Sequence, residues 1–446
     1  MGNDPIVKLV EANASNERLC ACAARISTTE GTSIEIHGQS VDEAKNRKLI
    51  KKVFMSGHHS FIEHAVFTFA FCNVSALAEQ FFIEFRLASF TVKSRRYVNF
   101  SKLGYYVPPG MEYACLEAYK SHVGHLFAEY RAFVDAGIPL EDARFVLPYC
   151  FSSNFYCTVN ARELVHILKT IKHGRGKNIP ELQDIYNQIV AEIEPNFPEL
   201  LDEVSIAKKD AGREIACHFD YVPNHARAAE GRCELISCTD QPNRILNASQ
   251  SLLENGYADY HVSGDGDPAF MHFSPRVMEN INATFAIHDV SLSGVTHLAR
   301  HRMQTIIIPP YQKAHLGRYV VPASIMEKPG MLKRYEEAFE QNIESINALR
   351  DLGIPNELYL CLSGNTLDVI STMNAREYRL FFSLRCCNRA QWEIQGIAKE
   401  MLRMLRRAQP TPYADMGPSC HASGRCPEGK LSCGRLAETI ERYKTL

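Results

Sequence analysis

"EHAVFTFAFCNVSALAEQFFIEFR" (residues 63–86) aligns without a gap on "ENINATFAIHDVSLSGVTHLARHR" (residues 279–302), at a separation of 216 residues. Further along, Asn160-Ala161-Arg162-Glu163 returns as Asn374-Ala375-Arg376-Glu377, at a separation of 214. Two separations this similar mean that one long segment occurs twice, with only short insertions between the copies. The period is far beyond that of a solenoid repeat, so it reads as a fused duplication of a whole domain. The copies are expected at 1–225 and 226–415, followed by a cysteine-containing tail at 416–446. Their junction is expected in the polar stretch between Pro198 and Cys233, with Gly231-Arg232 as one candidate.

Composition agrees with this reading. A chain of 446 residues is comfortable for two domains, and 46% hydrophobic with 22% charged residues is ordinary for a globular protein. The formal net charge of −2 gives no electrostatic case for nucleic acid or a membrane surface as partner. The longest apolar runs, such as Ala65–Cys72, fall far short of the roughly 20 residues of a membrane span. "MGNDPIVKLVEANASNERL" has no basic start leading into an apolar stretch, and its sixth residue is not the Ser or Thr of a myristoylation signal. A cytoplasmic protein is therefore expected. Its fifteen cysteines, an odd number spread along the chain, fit reduced thiols.

Each copy carries the same coarse order of elements. Ala65–Phe71 and its counterpart Ala283–Ile287 read as strands. Helices are expected at about Ser75–Ala88 and Ser291–Met303, then long ones at Met111–Ala136 and Met331–Leu352. Asn160 and Asn374 each open a further helix as N-cap, with Glu three residues on. Strands and helices mix without regular alternation, so the fold class is α+β, mainly antiparallel sheet with long helices.

The copies differ where chemistry could sit. On one face of the first repeated helix, the second copy has His297, Arg300 and His301; the first copy has Phe81, Glu84 and Phe85. On the Asn-Ala-Arg helix, Asn374 shares a stripe with Tyr378, Phe381 and Arg385, whereas Asn160 shares its own with Leu164, Ile167 and Ile171. Losses run the other way elsewhere. Ser94, Arg95 and Arg96 offer a hydroxyl and guanidinium forks suited to a phosphate, but the position matching Ser94 is Pro310. Arg144 is matched by Leu358. An Arg-His-Arg triplet taken alone is more often a solvated face than a ligand site. The complementary pattern of loss is the signal.

"GHHSFIEHAVFTF", "EFRLASFTVKSRRY", "ARFVLP" and "TVNAREL" in the first copy, with "THLARHR" and "NAREYRLFFSLRCCNRAQWEIQ" in the second, resemble the flavin-dependent thymidylate synthases. The family signature is Arg-His-Arg, seven residues, then Ser. The first copy has the spacing and Ser94 but only Arg86 of the triplet; the second has Arg300-His301-Arg302 but Pro310 in place of the serine. The resemblance implies FAD as cofactor, with NADPH and methylenetetrahydrofolate as co-substrates and dUMP, or a related pyrimidine nucleotide, as substrate. It also implies a homotetramer with sites at subunit interfaces, which a homodimer of fused chains would mimic as a pseudo-tetramer. Arg300, His301, Arg302 and Ser94 would be the catalytic set. Arg300, His301, Arg302, Asn374 and Arg376, with His58, Ser60 and Glu63 of the first copy, would bind the cofactor. His297, Arg300 and Arg385 would meet Ser94, Arg95, Arg96 and Arg144 around the substrate, as one composite site drawn from both copies. Where family members place Gln or a similar polar residue this chain has His297, and Val92 stands in place of a common acidic residue.

The alternatives are flavin-dependent C5 modification of another pyrimidine nucleotide and a non-catalytic nucleotide-binding homologue. Cys420, Cys426 and Cys433 are weak candidates for a metal, since their spacings lack the paired CxxC of a firm site.

Overall fold

A computed structural model describes residues 4–13, 15–205, 232–253 and 274–446. The junction expected around Gly231-Arg232 lies largely outside the described residues. The first copy contains β1 (Ile6–Ala12), β2 (Val66–Ser75), α1 (Ala76–Ile83), β3 (Ala88–Val92), α2 (Tyr113–Asp135), β4 (Ser152–Asn160), α3 (Ala161–His173) and α4 (Pro180–Ile193). The second contains β5 (Cys233–Cys238), β6 (Asn282–Ser291), α5 (Leu292–Leu298), β7 (Gln304–Ile307), β8 (His315–Tyr319), α6 (Pro329–Asp351), β9 (Asn365–Asn374), α7 (Ala375–Arg385) and α8 (Trp392–Ala408). Two antiparallel sheets result, in the orders β1-β2-β4-β3 and β5-β6-β9-β7, with β8 also paired to β9. Apart from β8 the strands correspond one to one, down to the terminal pairs Val66 with Asn160 and Asn282 with Asn374. The duplication is therefore one of fold as well as sequence.

Alternation fixes which face of each sheet is buried. In β2, Phe67, Phe69 and Phe71 all point inward, and Phe71 stacks on Phe155 of β4 at 4.3 Å. Both central strands break step at the same place. Asn73 and Asp289 adopt φ of 57° and 49°, a region that short polar side chains tolerate. The N–H of each donates to a side chain of the partner strand, Asn73 to Asn154 Oδ1 (3.2 Å) and Asp289 to Asp368 Oδ1 (2.9 Å). This bulge hands the chain to Ser75 and Ser291, whose hydroxyls cap α1 and α5 by accepting from Ala78 N–H and Gly294 N–H. Each capping hydroxyl donates in turn to a buried carboxylate at 2.5 Å, Glu181 or Glu393.

The helices that follow are shorter than the sequence pattern predicts. α1 stops at Ile83 and α5 at Leu298 because the chain turns back to form β3 and β7 on the edge of each sheet. The apolar residues beyond those points alternate along a strand, and a short apolar run does not distinguish the two periods.

The chain forms two compact units that do not follow the repeat. One gathers the described residues up to Ser205 together with 321–363; the other gathers the remaining described residues. Thus α6, from the second copy, packs on α2 within the first unit. Arg334 forks onto Glu129 (both contacts 2.9 Å), His122 meets Asn342 at 2.8 Å, and the rings of Phe133 and Tyr335 lie 6.0 Å apart. In the second unit the tail closes on the core through Tyr443, which is buried and donates to Cys386 O at 3.0 Å. The described cysteines are free thiols, and among the described residues no group of three or more His, Cys, Asp or Glu could hold a metal ion. The candidates Cys420, Cys426 and Cys433 therefore form no such group. No described helix is long and apolar enough to cross a membrane.

Candidate functional site

In the second copy, Arg300-His301-Arg302 lies in the turn between α5 and β7, not on the helix predicted for it. In a turn, neighbouring side chains can face opposite ways. Arg300 and Arg302 are exposed while His301 is buried. Arg385, the last residue of α7, donates from Nε to His301 Nε2 (3.0 Å) and from Nη2 to His297 O (3.3 Å). A guanidinium only donates, so Nε2 carries no proton and Nδ1–H donates to Glu377 Oε1 at 3.1 Å. Burial holds the imidazole below its usual range; the hydrogen bond to Glu377 opposes this and the charge of Arg385 reinforces it. His301 is thus a neutral brace with both nitrogens engaged. The expectation that it offers a ring nitrogen to a ligand gives way to one in which it positions Arg385.

Asn374 starts α7 as predicted, its Oδ1 accepting from Glu377 N–H at 2.9 Å. Arg376, expected at a cofactor, instead meets Glu279 at 2.5 Å on the surface. The first copy repeats this pair as Arg162 with Glu63, also at 2.5 Å. Glu63 therefore has a structural partner, while His58 and Ser60 are exposed where the chain approaches β2.

Beyond β3 the side chains of the Ser-Arg-Arg stretch separate. Arg95 turns inward, 5% exposed, and lies 2.7 Å from the fully buried Glu79 and 4.8 Å over the Phe151 ring. A guanidinium so deeply committed to an internal carboxylate is structural, which corrects its expected place at a phosphate. Arg96 and Arg144 do come together. Arg96 Nε donates to Glu141 Oε2 (2.7 Å) and Arg144 Nε to Glu141 O (3.0 Å), while Ser94 Oγ accepts from Arg96 N–H (3.3 Å). One residue, Glu141, anchors both forks.

The first copy's version of the triplet turn is different in kind. Glu84 pairs with Arg175, and the Arg175 guanidinium lies 4.8 Å from the centre of the Phe81 ring and 5.8 Å from that of Phe85. Beside it is a cavity of about 570 Å³, whose lining includes Arg86, Asn160, Glu163 and His166. Sequence reasoning missed Glu141, Glu79 and Arg175, whose roles depend on contacts far along the chain. Glu377 was visible as the capping partner of Asn374, but its hold on His301 was not.

A doubled α+β domain with guanidinium groups braced at turns and helix ends is suited to an anionic ligand. The family model described as thymidylate synthase complementing protein matches twice, over residues 8–199 and 243–411, and the chain belongs to that family. A protein named flavin-dependent thymidylate synthase from Geobacter sulfurreducens is 36% identical over 177 residues, covering 38% of this chain and 75% of its own. One of the same name from Clostridium tetani is 31% identical over 195 residues, covering 39% and 77%. A solved UMP/dUMP methylase, PolB from Streptomyces cacaoi with 5-Br dUMP, is 25% identical over 45% of this chain and 95% of its own, with a TM-score of 0.39.

Proposed function

We propose that this protein catalyses the reductive methylation of dUMP to dTMP, using FAD, NADPH and methylenetetrahydrofolate, with residues of both copies serving one site. FAD, when bound, supplies the electron relay between NADPH and the methylene group delivered by the folate. Membership of the family and the names of its relatives support this reading. The observation that carries it is the division of labour between the copies. The second keeps Arg300, Arg302 and Arg385, the last braced by His301 and Glu377; the first keeps Ser94, Arg96 and Arg144 around Glu141.

These residues fit the ligands in charge and form. Three guanidinium groups suit a dinucleotide that bears phosphates and becomes anionic on reduction, and none of them deprotonates at working pH. Arg300 and Arg302 are exposed at the turn, so they can reach a bound group. Arg96 and Arg144 offer forked donors to a nucleotide phosphate, and Ser94 a hydroxyl beside them. Ser94 binds rather than attacks, because its Oγ accepts from a backbone N–H and no base is hydrogen-bonded to it in this arrangement. His297 in place of a common family Gln, and Val92 in place of an acid, favour a related pyrimidine nucleotide as the second reading.

The test is single-turnover chemistry on the purified chain. After anaerobic reduction by NADPH, dUMP and methylenetetrahydrofolate are added, and flavin absorbance and dTMP are followed together. Reoxidation with dTMP formation is expected. Reoxidation only with another pyrimidine nucleotide would support the second reading. A chain that binds nucleotide but never turns over would be the non-catalytic homologue.

A further inference from the structure

The two copies place different chemistry at positions that match one to one. Where the second copy has His297, Arg300, His301 and Arg385, the first has Phe81, Glu84, Phe85 and Ile171. At these four positions two guanidiniums and two histidines have become one carboxylate and three apolar side chains. The first copy has then filled the gap from elsewhere. Arg175, one turn beyond Ile171, reaches back to pair with Glu84 and lies over the rings of Phe81 and Phe85. A guanidinium that is stacked on two rings and neutralised by a carboxylate is a stable closure, not a waiting anion site.

The cavity alongside confirms the change of character. It is lined by Glu63, Glu84 and Glu163 as well as by Arg86, Arg162 and Arg175, so acidic and basic groups are equal in number. Glu63 already meets Arg162, Glu84 meets Arg175, and Glu163 lies 3.4 Å from His166. A flavin dinucleotide, with two phosphate charges and a ring that becomes anionic on reduction, would have to displace the Arg175–Glu84 pair and would face carboxylates in return.

We propose that each chain holds one FAD, at the second copy, and that the equivalent position of the first copy excludes it through Glu84, Phe85 and the overlying Arg175. This rests on the flavin reading given above and adds to it a count and a location. A pseudo-tetramer of two chains would then carry two flavins, half the number of its domains.

The experiment is the molar ratio of released FAD to full-length chain after reconstitution with excess FAD and removal of the unbound excess. A ratio of one is expected. Arg300→Glu, which gives the exposed turn of the second copy the charge of Glu84, should lower the ratio to below one tenth. Glu84→Ala should leave it at one. Arg302→Ala serves as a second, neutralising variant, and a thermal melt of each shows that the fold is kept. A ratio of two overturns the inference while leaving the flavin reading intact. So does a ratio of one that survives in Arg300→Glu and Arg302→Ala. A chain that takes no FAD overturns both.

Discussion

Glu163 and Glu377 occupy the same position in the two copies, each beginning a helix under an asparagine cap, and each sits beside a histidine. The histidines have different origins. Glu377 takes His301 from the turn after α5, whereas Glu163 takes His166 from the next turn of its own helix, at 3.4 Å. In the first copy Phe85 holds the place of His301, and His166 packs edge-on against that ring at 5.3 Å. A nearly buried carboxylate needs a donor, and the two copies met the need differently once the triplet diverged. The consequence lies one residue further out. His301 also accepts from Arg385, while His166 has no such duty, so only in the second copy does this histidine hold a guanidinium.

This contrast can be broken at several points. The largest effect is expected on turnover. Arg302→Ala and Arg144→Ala should each lower it at least about 100-fold, while the matched change Arg86→Ala should leave it within about threefold. Equal losses from Arg86→Ala and Arg302→Ala would mean that the copies share the work evenly. Single-turnover dTMP formation measures this, with a melt of each variant because Arg144 is buried.

A stability difference should appear between the two Ser–Glu pairs. Glu393 has Arg232 at 2.7 Å, whereas Glu181 is wholly buried and burial lifts its carboxyl to about 7. A folded-state value above the unfolded one means that the folded protein keeps a proton the unfolded chain has released. Stability is then full below about 4.5 and falls as pH rises towards 7, by on the order of 3 kcal/mol. Thermal melts from pH 5 to 8 should show this fall in the wild type, and Glu181→Gln should flatten it. A profile that is the same in both proteins would sink the assignment.

His301→Phe, which copies Phe85, should cost about 1–3 kcal/mol by removing the hydrogen bonds that Glu377 and Arg385 make to the imidazole; urea unfolding measures it. The smallest effect belongs to the feature the copies share. Glu63–Arg162 and Glu279–Arg376 are partly exposed ion pairs, so double-mutant cycles should return below ~1 kcal/mol for each, and similar values for both.

The sequence disclosed the duplication, the strands and the asparagine caps because those signals are local: alternation over a few residues, or a cap and its glutamate three apart. It also singles out Arg96, Arg144 and Arg385 as candidates, since residues lost in one copy stand out against those kept in the other. It did not show that Arg95 turns inward, because Glu79 lies on α1 and the pairing needs the sheet edge to bring them together. The pattern predicts a helix through the triplet for a related reason: an apolar run of this length suits either period until the edge strand is seen. Nor could pattern alone assign α6 to the first unit, since its repeat partner α2 has the same apolar character.

That last feature bears on how the protein is made. The first unit includes 321–363, and α2 has its Phe133 ring covered by Tyr335 of α6. Synthesis proceeds from the N-terminus at roughly 5–20 residues per second, so some 10–30 s separate the emergence of Ser205 from that of Ser363. For that interval the nascent first unit presents the α2 surface that α6 will later cover, and the second sheet is still incomplete, lacking β9. The two units therefore mature almost together, late in translation, and a ribosome stalled between them would leave a chain with neither finished.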